Sequence, residues 1–387
     1  MAQQECAQFW SPAKLIFGPG AIQRIPEELR AGRRGLKVLV VTDSGLVQAG
    51  VVEKVAAVLS RSRIRFVLFD EVTANPPVEV VHRGYETFKG ENCNTLIGLG
   101  GGSPMDTAKM IGVLASHGGR ILDYTRPNTV KKALPFLLCV PTTYGTGSEV
   151  TPYAVVTDVE KQSKIPVIGP LIIPKVAVLD PELSVALPLP VAGATGMDAL
   201  IHAIECYTNL VPNILSDAMA IEAIAMISSN LREAAANDQN IEATQNMLLG
   251  STMAGIAFSQ TRVGNVHAMS HQVSALFGVP HGVANAVLLP YVMAFNLIGC
   301  SDKFVEIAVA MEEDAYGLPG LDGARKAVDA VRKLASDVGI PGTLSEVGVH
   351  EEAIPEMAKD AMTSGNILVN ARKTTIEDVI EIYRRAM

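Results

Sequence analysis

The sequence predicts an N-terminal α/β domain built on a doubly wound parallel sheet, residues 1–185, followed by an all-helical domain, residues 186–387. Three observations predict it. Short β-branched runs alternate with amphipathic stretches through the first part of the chain. Beyond it, Ala, Met, Leu and Ile recur at helical spacing instead. The change falls in the proline-rich DPELSVALPLP, 180–190, where each proline disfavours continuous helix. With 387 residues, 48% hydrophobic and 19% charged, the chain has enough apolar material for two cores.

KVLVVT (37–42), IRFVLF (64–69), TLIGLG (95–100) and FLLCVP (136–141) predict buried strands, and LVQAGVVEKVAAVLS (46–60) predicts a helix after the first. TPYAVVTDVEKQSKIPVIG (151–169), with β-branched flanks and a polar middle, predicts a hairpin covering one edge of the sheet. In the second half, SDAMAIEAIAMISSNLREAAAN (216–237) and ATQNMLLGSTMAGIAFS (243–259) predict long helices. No repeat of solenoid length and no low-complexity tract interrupts this order.

A formal charge of -8, with no dense cluster of Lys or Arg, argues against nucleic acid or an anionic membrane as partner. Five cysteines, Cys6, Cys93, Cys139, Cys206 and Cys300, are widely spaced and odd in number; reduced thiols and a cytoplasmic location are expected. The opening MAQQECAQFWSPAKL lacks the basic and apolar regions of a signal peptide. Apolar stretches such as IPVIGPLIIPKVAVL are broken by Pro and Lys, short of the roughly 20 residues a membrane span needs.

GLGGGSPMDTAK (98–109) lies between a strand and an amphipathic segment, where helix N–H groups can receive a phosphate. Gly100, Gly101 and Gly102 permit close backbone approach, Ser103 can cap, Pro104 suits a first turn and Asp106 supports the helix dipole. Ser103 stands where the dinucleotide fingerprint has its third glycine, so a nucleotide site and a plain turn remain equally open. Asp43 ends the first of these strands, where a carboxylate either accepts ribose hydroxyls, favouring NAD over NADP, or caps the next helix. PTTYGTGSEVT (141–151) brings hydroxyls and glycines to another strand end.

Asp198 and His202 are four apart in GMDALIHAIE, as are His267 and His271 in GNVHAMSHQ, and His281 opens the next apolar segment. Residues four apart share a helix face. Four of the seven histidines thus fall between 202 and 281, in segments too apolar to leave imidazoles unpaired at low cost. The set Asp198, His202, His267 and His281 predicts a divalent transition-metal site with a place left for a further ligand, and His271 a proton relay beside it. Such a Lewis acid acidifies an alcohol or polarises an aldehyde. Oxygen and imidazole donors without thiolate suit Fe(II) and Zn(II) alike.

Together GGGSPMDTAK, PTTYGTGSEVT, ATGMDALIHAIE and GNVHAMSHQVSALFGVPHGVANAVLLP resemble the iron-dependent (group III) alcohol dehydrogenase family, from LIFGPGAI near the start to TIEDVIEIY near the end. The resemblance implies a dehydroquinate-synthase-like fold: a dinucleotide-binding α/β domain, a helical domain, and a metal in the cleft between them. It implies NAD(P)-dependent interconversion of alcohols with aldehydes or ketones, commonly with Fe(II), sometimes with Zn(II). It makes Asp198, His202, His267 and His281 the ligands and His271 a non-ligand near the substrate. Asp43, Gly101, Gly102, Ser103, Thr142, Thr143, Thr146 and Lys164 would line the cofactor, Asp106 would lie behind its phosphates, and Asn75 would approach the adenosine. Tyr144 stands where many relatives have a small residue, and Phe277 and Val279 lie in a variable stretch before the last ligand.

The expected protein is a homo-oligomeric, NAD-dependent dehydrogenase or reductase of small primary alcohols or diols. A metal- and NAD-using lyase of the dehydroquinate synthase type would need a basic pocket, and the helical half has few Lys or Arg near its histidines. A non-enzymatic metal-binding protein would leave Asp43 and the glycine loop without a joint purpose.

Overall fold

The computed structural model describes residues 9–11, 14–126, 129–158, 163–211 and 213–387. The chain divides into two compact units, Ser11–Ala186 and Leu187–Met387, with Phe9 and Trp10 belonging to the second. Trp10 is tied there by its backbone N–H, which donates to Gln260 Oε1 at 2.7 Å.

In the first unit six strands form one parallel sheet: β1 (Lys14–Phe17), β2 (Lys37–Val41), β3 (Arg65–Phe69), β4 (Thr95–Gly100), β5 (Phe136–Pro141) and, later in the chain, β8 (Val176–Leu179). Their order is β1-β8-β5-β4-β2-β3. Helices α1 (Ile25–Arg30), α2 (Ser44–Gln48), α3 (Val51–Arg61), α4 (Val78–Gly90) and α5 (Gly102–His117) connect them. Strand side chains alternate between two cores. Val38 and Val40 of β2 and Ile97 and Leu99 of β4 pack with Val52, Val55 and Leu59 of α3. Leu39, Val41 and Leu96 point the other way, with Val80 and Val81 of α4 and Met105, Ala108 and Ile111 of α5. The sheet is therefore covered on both faces. The helices after β2 and β4 lie on opposite faces, so the strand order reverses between these neighbours, the position where open α/β sheets take their ligands.

The four expected strands are present. Two more, β1 and β8, are only four residues long, too short for an alternation to show in sequence. The helix expected over 46–60 is two helices, because Gly50 takes φ 72° and the chain turns there between α2 and α3. The hairpin is β6 (Tyr153–Asp158) with antiparallel β7 (Ser163–Ile168), and it forms its own two-stranded sheet instead of covering an edge of the main one. Its apolar side, Ala154, Val156 and Val167, joins the core that contains α4 and α5. Polar ties hold it there: Lys109 Nζ of α5 donates to Tyr153 O (2.6 Å) and Thr151 O (3.1 Å), and Asp106 accepts from Val155 N (2.9 Å).

The second unit consists of α6 (Leu189–Thr208), α7 (Ile214–Ala236), α8 (Ile241–Thr261), α9 (Asn265–Phe277), α10 (His281–Asn296), α11 (Ser301–Ala310), α12 (Gly320–Asp337), α13 (Ile354–Ala361) and α14 (Ile376–Ala386). Helix α6 is its axis, buried along most of its length and packed on α7, α8 and α10. Two glycines let neighbours close on it. A Cβ on Gly196 would stand 2.2 Å from Leu231 Cδ1 of α7, and one on Gly282 would stand 2.3 Å from the backbone oxygen of Ala194. Only glycine allows α10 to begin that near α6.

By length and composition α7 and the stretch His281–Gly299 are apolar enough to cross a membrane, which the interrupted stretches noted in the sequence are not. Here α10 packs among α6, α9, α12 and α14, and α7 against α6 and α8. Helix α10 is thus mostly buried, as a core helix is, whereas α7 keeps more than half of its apolar stretch outside the core.

Candidate active site

Three helices of the second unit carry the histidines. Asp198 and His202 project from α6, His267 and His271 from α9, and His281 is the first residue of α10. Donor atoms of Asp198, His267 and His281 converge to within 4.8 Å of one another, a group that could hold a metal ion. His267 Nε2 lies 3.9 Å and His281 Nε2 4.0 Å from Asp198 Oδ1. His202 adjoins them through its ring, stacked on His267 at a centroid distance of 4.7 Å and on Phe258 at 4.4 Å. The exposed His271 stacks on His281 at 5.2 Å, with its ring 6.3 Å from that of His267.

Two further residues complete this arrangement, and the sequence reading passed over both. Glu205 Oε2 lies 2.6 Å from His267 Nδ1, and its other oxygen accepts the Val266 N–H at 2.6 Å. A carboxylate accepts only from N–H, so this contact places a proton on Nδ1, and in the neutral ring that leaves the lone pair of Nε2 on the side of the other donors. The same carboxylate caps the N-terminus of α9, where negative charge is favoured. A carboxylate behind a ligating imidazole fixes its tautomer and raises its basicity.

Asn285 is the second. Its Nδ2 donates to Asp198 Oδ1 at 2.7 Å and faces His281 Nε2 at 3.1 Å and His267 Nε2 at 3.2 Å. One amide carries two hydrogens and cannot satisfy three acceptors. A divalent cation accepts from all three, so the donor chemistry fits a metal. The missed signals were spacings: Glu205 falls on the α6 face of Asp198 and His202, three residues beyond His202, and Asn285 lies one turn after His281.

In the first unit, four predicted segments leave the C-terminal ends of four adjacent parallel strands: Asp43 after β2, Asn75 after β3, Gly101 to Ser103 after β4 and Thr142 to Thr146 after β5. Asp43 caps α2, its Oδ1 accepting from Leu46 N at 3.0 Å, a contact worth about 1 kcal/mol. Gly101 is the N-cap of α5 and makes no side-chain cap bond, so Ser103 lies inside the first turn and does not cap. The first-turn N–H groups therefore have no side-chain cap. Gly100 has φ 145°, and a Cβ there would stand 2.7 Å from Pro104 Cγ. Gly102 faces Thr146, and Gly101 faces Thr143 Oγ1. Thr142 N donates to Gly100 O at 3.0 Å and locks the two strand ends together.

Asp106 lies beyond the first turn of α5 and is spent within the protein. Ser148 Oγ donates to its Oδ1 at 2.6 Å, Val155 N to its Oδ2, and Lys109 Nζ lies 3.9 Å away. Burial pushes this carboxyl up and the fully buried Lys109 ammonium down from their usual ranges. Lys164, on β7, pairs across the hairpin with Thr157, which bridges to Pro77 and donates from its N–H to Pro76 O. The loop of Asn75, itself at φ 51°, is thereby brought beside β6, the strand whose Thr157 pairs with Lys164.

Tyr144 is 1% exposed, its hydroxyl has no hydrogen-bond partner, and burial lifts its pKa far above the phenol range. Its ring is packed inside the protein. Val279 is buried, and the Phe277 ring meets His350 edge-on at 6.0 Å.

The first unit has a Gly-rich turn at the reversal point of a doubly wound sheet, and the helical unit brings together three donors that could hold a metal ion, with a carboxylate behind one of them. The sequence model of the iron-containing alcohol dehydrogenases matches residues 12–181, and that of the C-terminal part of the Fe-containing alcohol dehydrogenase family matches 192–387. The chain is 42% identical to 1,3-propanediol dehydrogenase of Citrobacter freundii, covering 97% of each. It is 40% identical to the NAD-dependent methanol dehydrogenase of Bacillus methanolicus, covering 98% of this chain and 99% of the relative. A crystal structure of 1,3-propanediol oxidoreductase superposes with a TM-score of 0.96 at 40% identity, over 99% of this chain and 100% of the other.

The chain belongs to the iron-containing alcohol dehydrogenase family. It is an oxidoreductase of the dehydroquinate-synthase-like fold, and its family implies iron and NAD(H) as cofactors.

Proposed function

We propose that the chain is a metal-dependent dehydrogenase and reductase that exchanges a hydride between NAD and a small primary alcohol or diol. The α/β domain, residues 1–185, holds NAD, and the helical domain, residues 186–387, holds the metal. The observation that carries this reading is the convergence of Asp198, His267 and His281. We assign His202 as the fourth ligand, since its ring already lies against His267. Fe(II) is the assigned metal by family, and Zn(II) suits the same donors. When bound, the cation supplies a Lewis acid to the substrate oxygen.

The chain's own groups do the rest. Glu205 keeps the His267 proton on Nδ1 and so keeps Nε2 available. His271, exposed and stacked on His281, carries the hydroxyl proton to solvent. Gly101, Gly102 and Ser103 offer N–H groups to the pyrophosphate, Asp106 anchors that turn from behind, and Thr142, Thr143, Thr146 and Lys164 flank the nicotinamide half. Asp43 accepts ribose hydroxyls and repels a 2′-phosphate, and Asn75 borders the adenosine.

The relatives named for 1,3-propanediol and methanol support a small, unbranched substrate. Unpaired thiols at Cys93, Cys139, Cys206 and Cys300 support a reducing, cytoplasmic setting. Exposed Leu210, Ile214, Leu215 and Leu368, of which Leu210 is bonded through its N–H to Val369 O next to Leu368, support self-association into a homo-oligomer.

The test is anaerobic loading with Fe(II) or Zn(II), followed by NADH formation from methanol, ethanol and 1,3-propanediol with NAD and NADP. Metal-dependent NADH formation, much weaker with NADP, is expected. No net reduction of either dinucleotide by any of these alcohols, with metal bound, would overturn the assignment.

A further inference from the structure

Lys109 is 0% exposed, and no step of the proposed reaction uses it. A buried ammonium is costly unless it is paired and hydrogen-bonded, and an apolar side chain of similar size would fill the same volume without that cost. What the ammonium adds is direction. It donates to Tyr153 O at 2.6 Å, Thr151 O at 3.1 Å and Thr151 Oγ1 at 3.3 Å, one acceptor for each of its N–H groups, and Asp106 Oδ1 lies 3.9 Å away. Hydrogen bonds from a charged donor are the stronger kind, so one side chain holds two residues of another segment firmly.

That segment is the exit of the hydroxyl-rich turn. The chain runs from residues 142–146 through Ser148 and Thr151 into β6, whose partner strand β7 carries Lys164. Asp106, one turn before Lys109 on α5, accepts from Ser148 Oγ and Val155 N. Between them the two side chains grip residues 148, 151, 153 and 155 in succession. The same helix opens at the glycine turn, where a Cβ on Gly102 would stand 3.0 Å from Thr146 Cγ2. One helix thus begins at one half of the proposed nucleotide site and holds the other half through its side chains. We propose that Lys109 is a positioning residue for the cofactor: by pinning Thr151 and Tyr153 to α5, it sets how far residues 142–146 and Lys164 stand from the turn that receives the pyrophosphate. Fully buried, it acts through the segment it holds. The inference rests on reading the sheet unit as the NAD site.

The experiment compares the full-length wild type with Lys109→Met and with the double variant Asp106→Asn/Lys109→Met. Met fills the volume without a donor, but alone it leaves the Asp106 carboxylate without its cation, which destabilises a buried site. In the double variant the Asn amide keeps both partners, Oδ1 accepting from Val155 N and Nδ2 donating to Ser148 Oγ. The bonds to Thr151 and Tyr153 stay broken while the stranded charge is gone. Binding of NADH is followed by its nicotinamide emission, and binding of ADP-ribose, the same molecule without nicotinamide, by calorimetry. Thermal unfolding is measured alongside, and the double variant carries the test should the single one fold poorly.

The double variant should melt above Lys109→Met and bind ADP-ribose within about twofold of wild type, as for groups that do not share the altered contact. NADH should bind about tenfold more weakly, the scale of a lost hydrogen bond from a charged group, with a smaller change in nicotinamide emission on binding. Wild-type NADH affinity and emission in the double variant would show that Lys109 serves stability alone. An equal loss for both ligands would show that it supports the whole unit and not the spacing of the two halves. Either result overturns the inference while leaving the nucleotide site in place. Failure of the wild type to bind NADH and ADP-ribose would overturn both.

Discussion

The helical centre is made of side chains, whereas the glycine turn of the sheet unit is made by leaving them out. At the first, Asp198, His267 and His281 supply lone pairs, and Glu205 and Asn285 determine how those are aimed. At the second, Gly100 to Gly102 matter for atoms they lack: a Cβ on Gly100 would stand 2.7 Å from Pro104. The two fail differently. Removing a group disables a site of donors, and adding one disables a site of exposed backbone.

The largest effect that tests this contrast is His267→Ala. Metal retention and turnover should be lost while NAD affinity stays within about twofold, as for independent sites. Metal at unit stoichiometry, measured by atomic emission after dialysis, would remove His267 from the ligand set.

Next is the opposite operation, Gly100→Ala. With φ at 145° and Pro104 in the way, the strain is about 1–3 kcal/mol. NAD binding, followed by fluorescence, should weaken about tenfold, the equivalent of 1.4 kcal/mol, with metal content unchanged. Unaltered NAD affinity would detach this turn from the nucleotide.

The smallest effect compares the two cores. Burial pushes the thiols of Cys139, in the sheet unit, and Cys206, in the helical unit, up to about 12 from 9.0. Above pH 9 the unfolded chain releases protons that the folded chain keeps, so stability falls as pH rises toward 12, by up to about 1.4 kcal/mol per pH unit per thiol. Urea titrations at pH 8 and pH 10.5, compared with Cys139→Ala and Cys206→Ala, isolate each thiol from other titrating groups. Parallel pH dependence in wild type and a variant would show that unit's thiol to be accessible.

Legibility follows the same contrast. Strands with both faces buried read as unbroken apolar runs, which is why β2, β4 and β5 are visible within a residue of their ends. The hairpin was visible but its seat was not, because that depends on Lys109 and Asp106, a turn apart on α5, reaching backbone groups of another element. The same holds for Asp106, read as an aid to the helix terminus and found tied to Ser148 and Val155. Histidine spacing marked α6 and α9 at once. Glu205 and Asn285 stayed hidden because a lone Glu or Asn in a helix has many uses, and only tertiary packing sets these two against His267 and Asp198.

Gly282 supplies no donor atom, yet the room its missing Cβ leaves beside the Ala194 backbone oxygen sets where α10 begins, and so where His281 stands relative to Asp198. Anyone transplanting this centre into another helical scaffold would have to copy that bare position along with the histidines. A graft of the ligands alone would carry the right chemistry at the wrong separation.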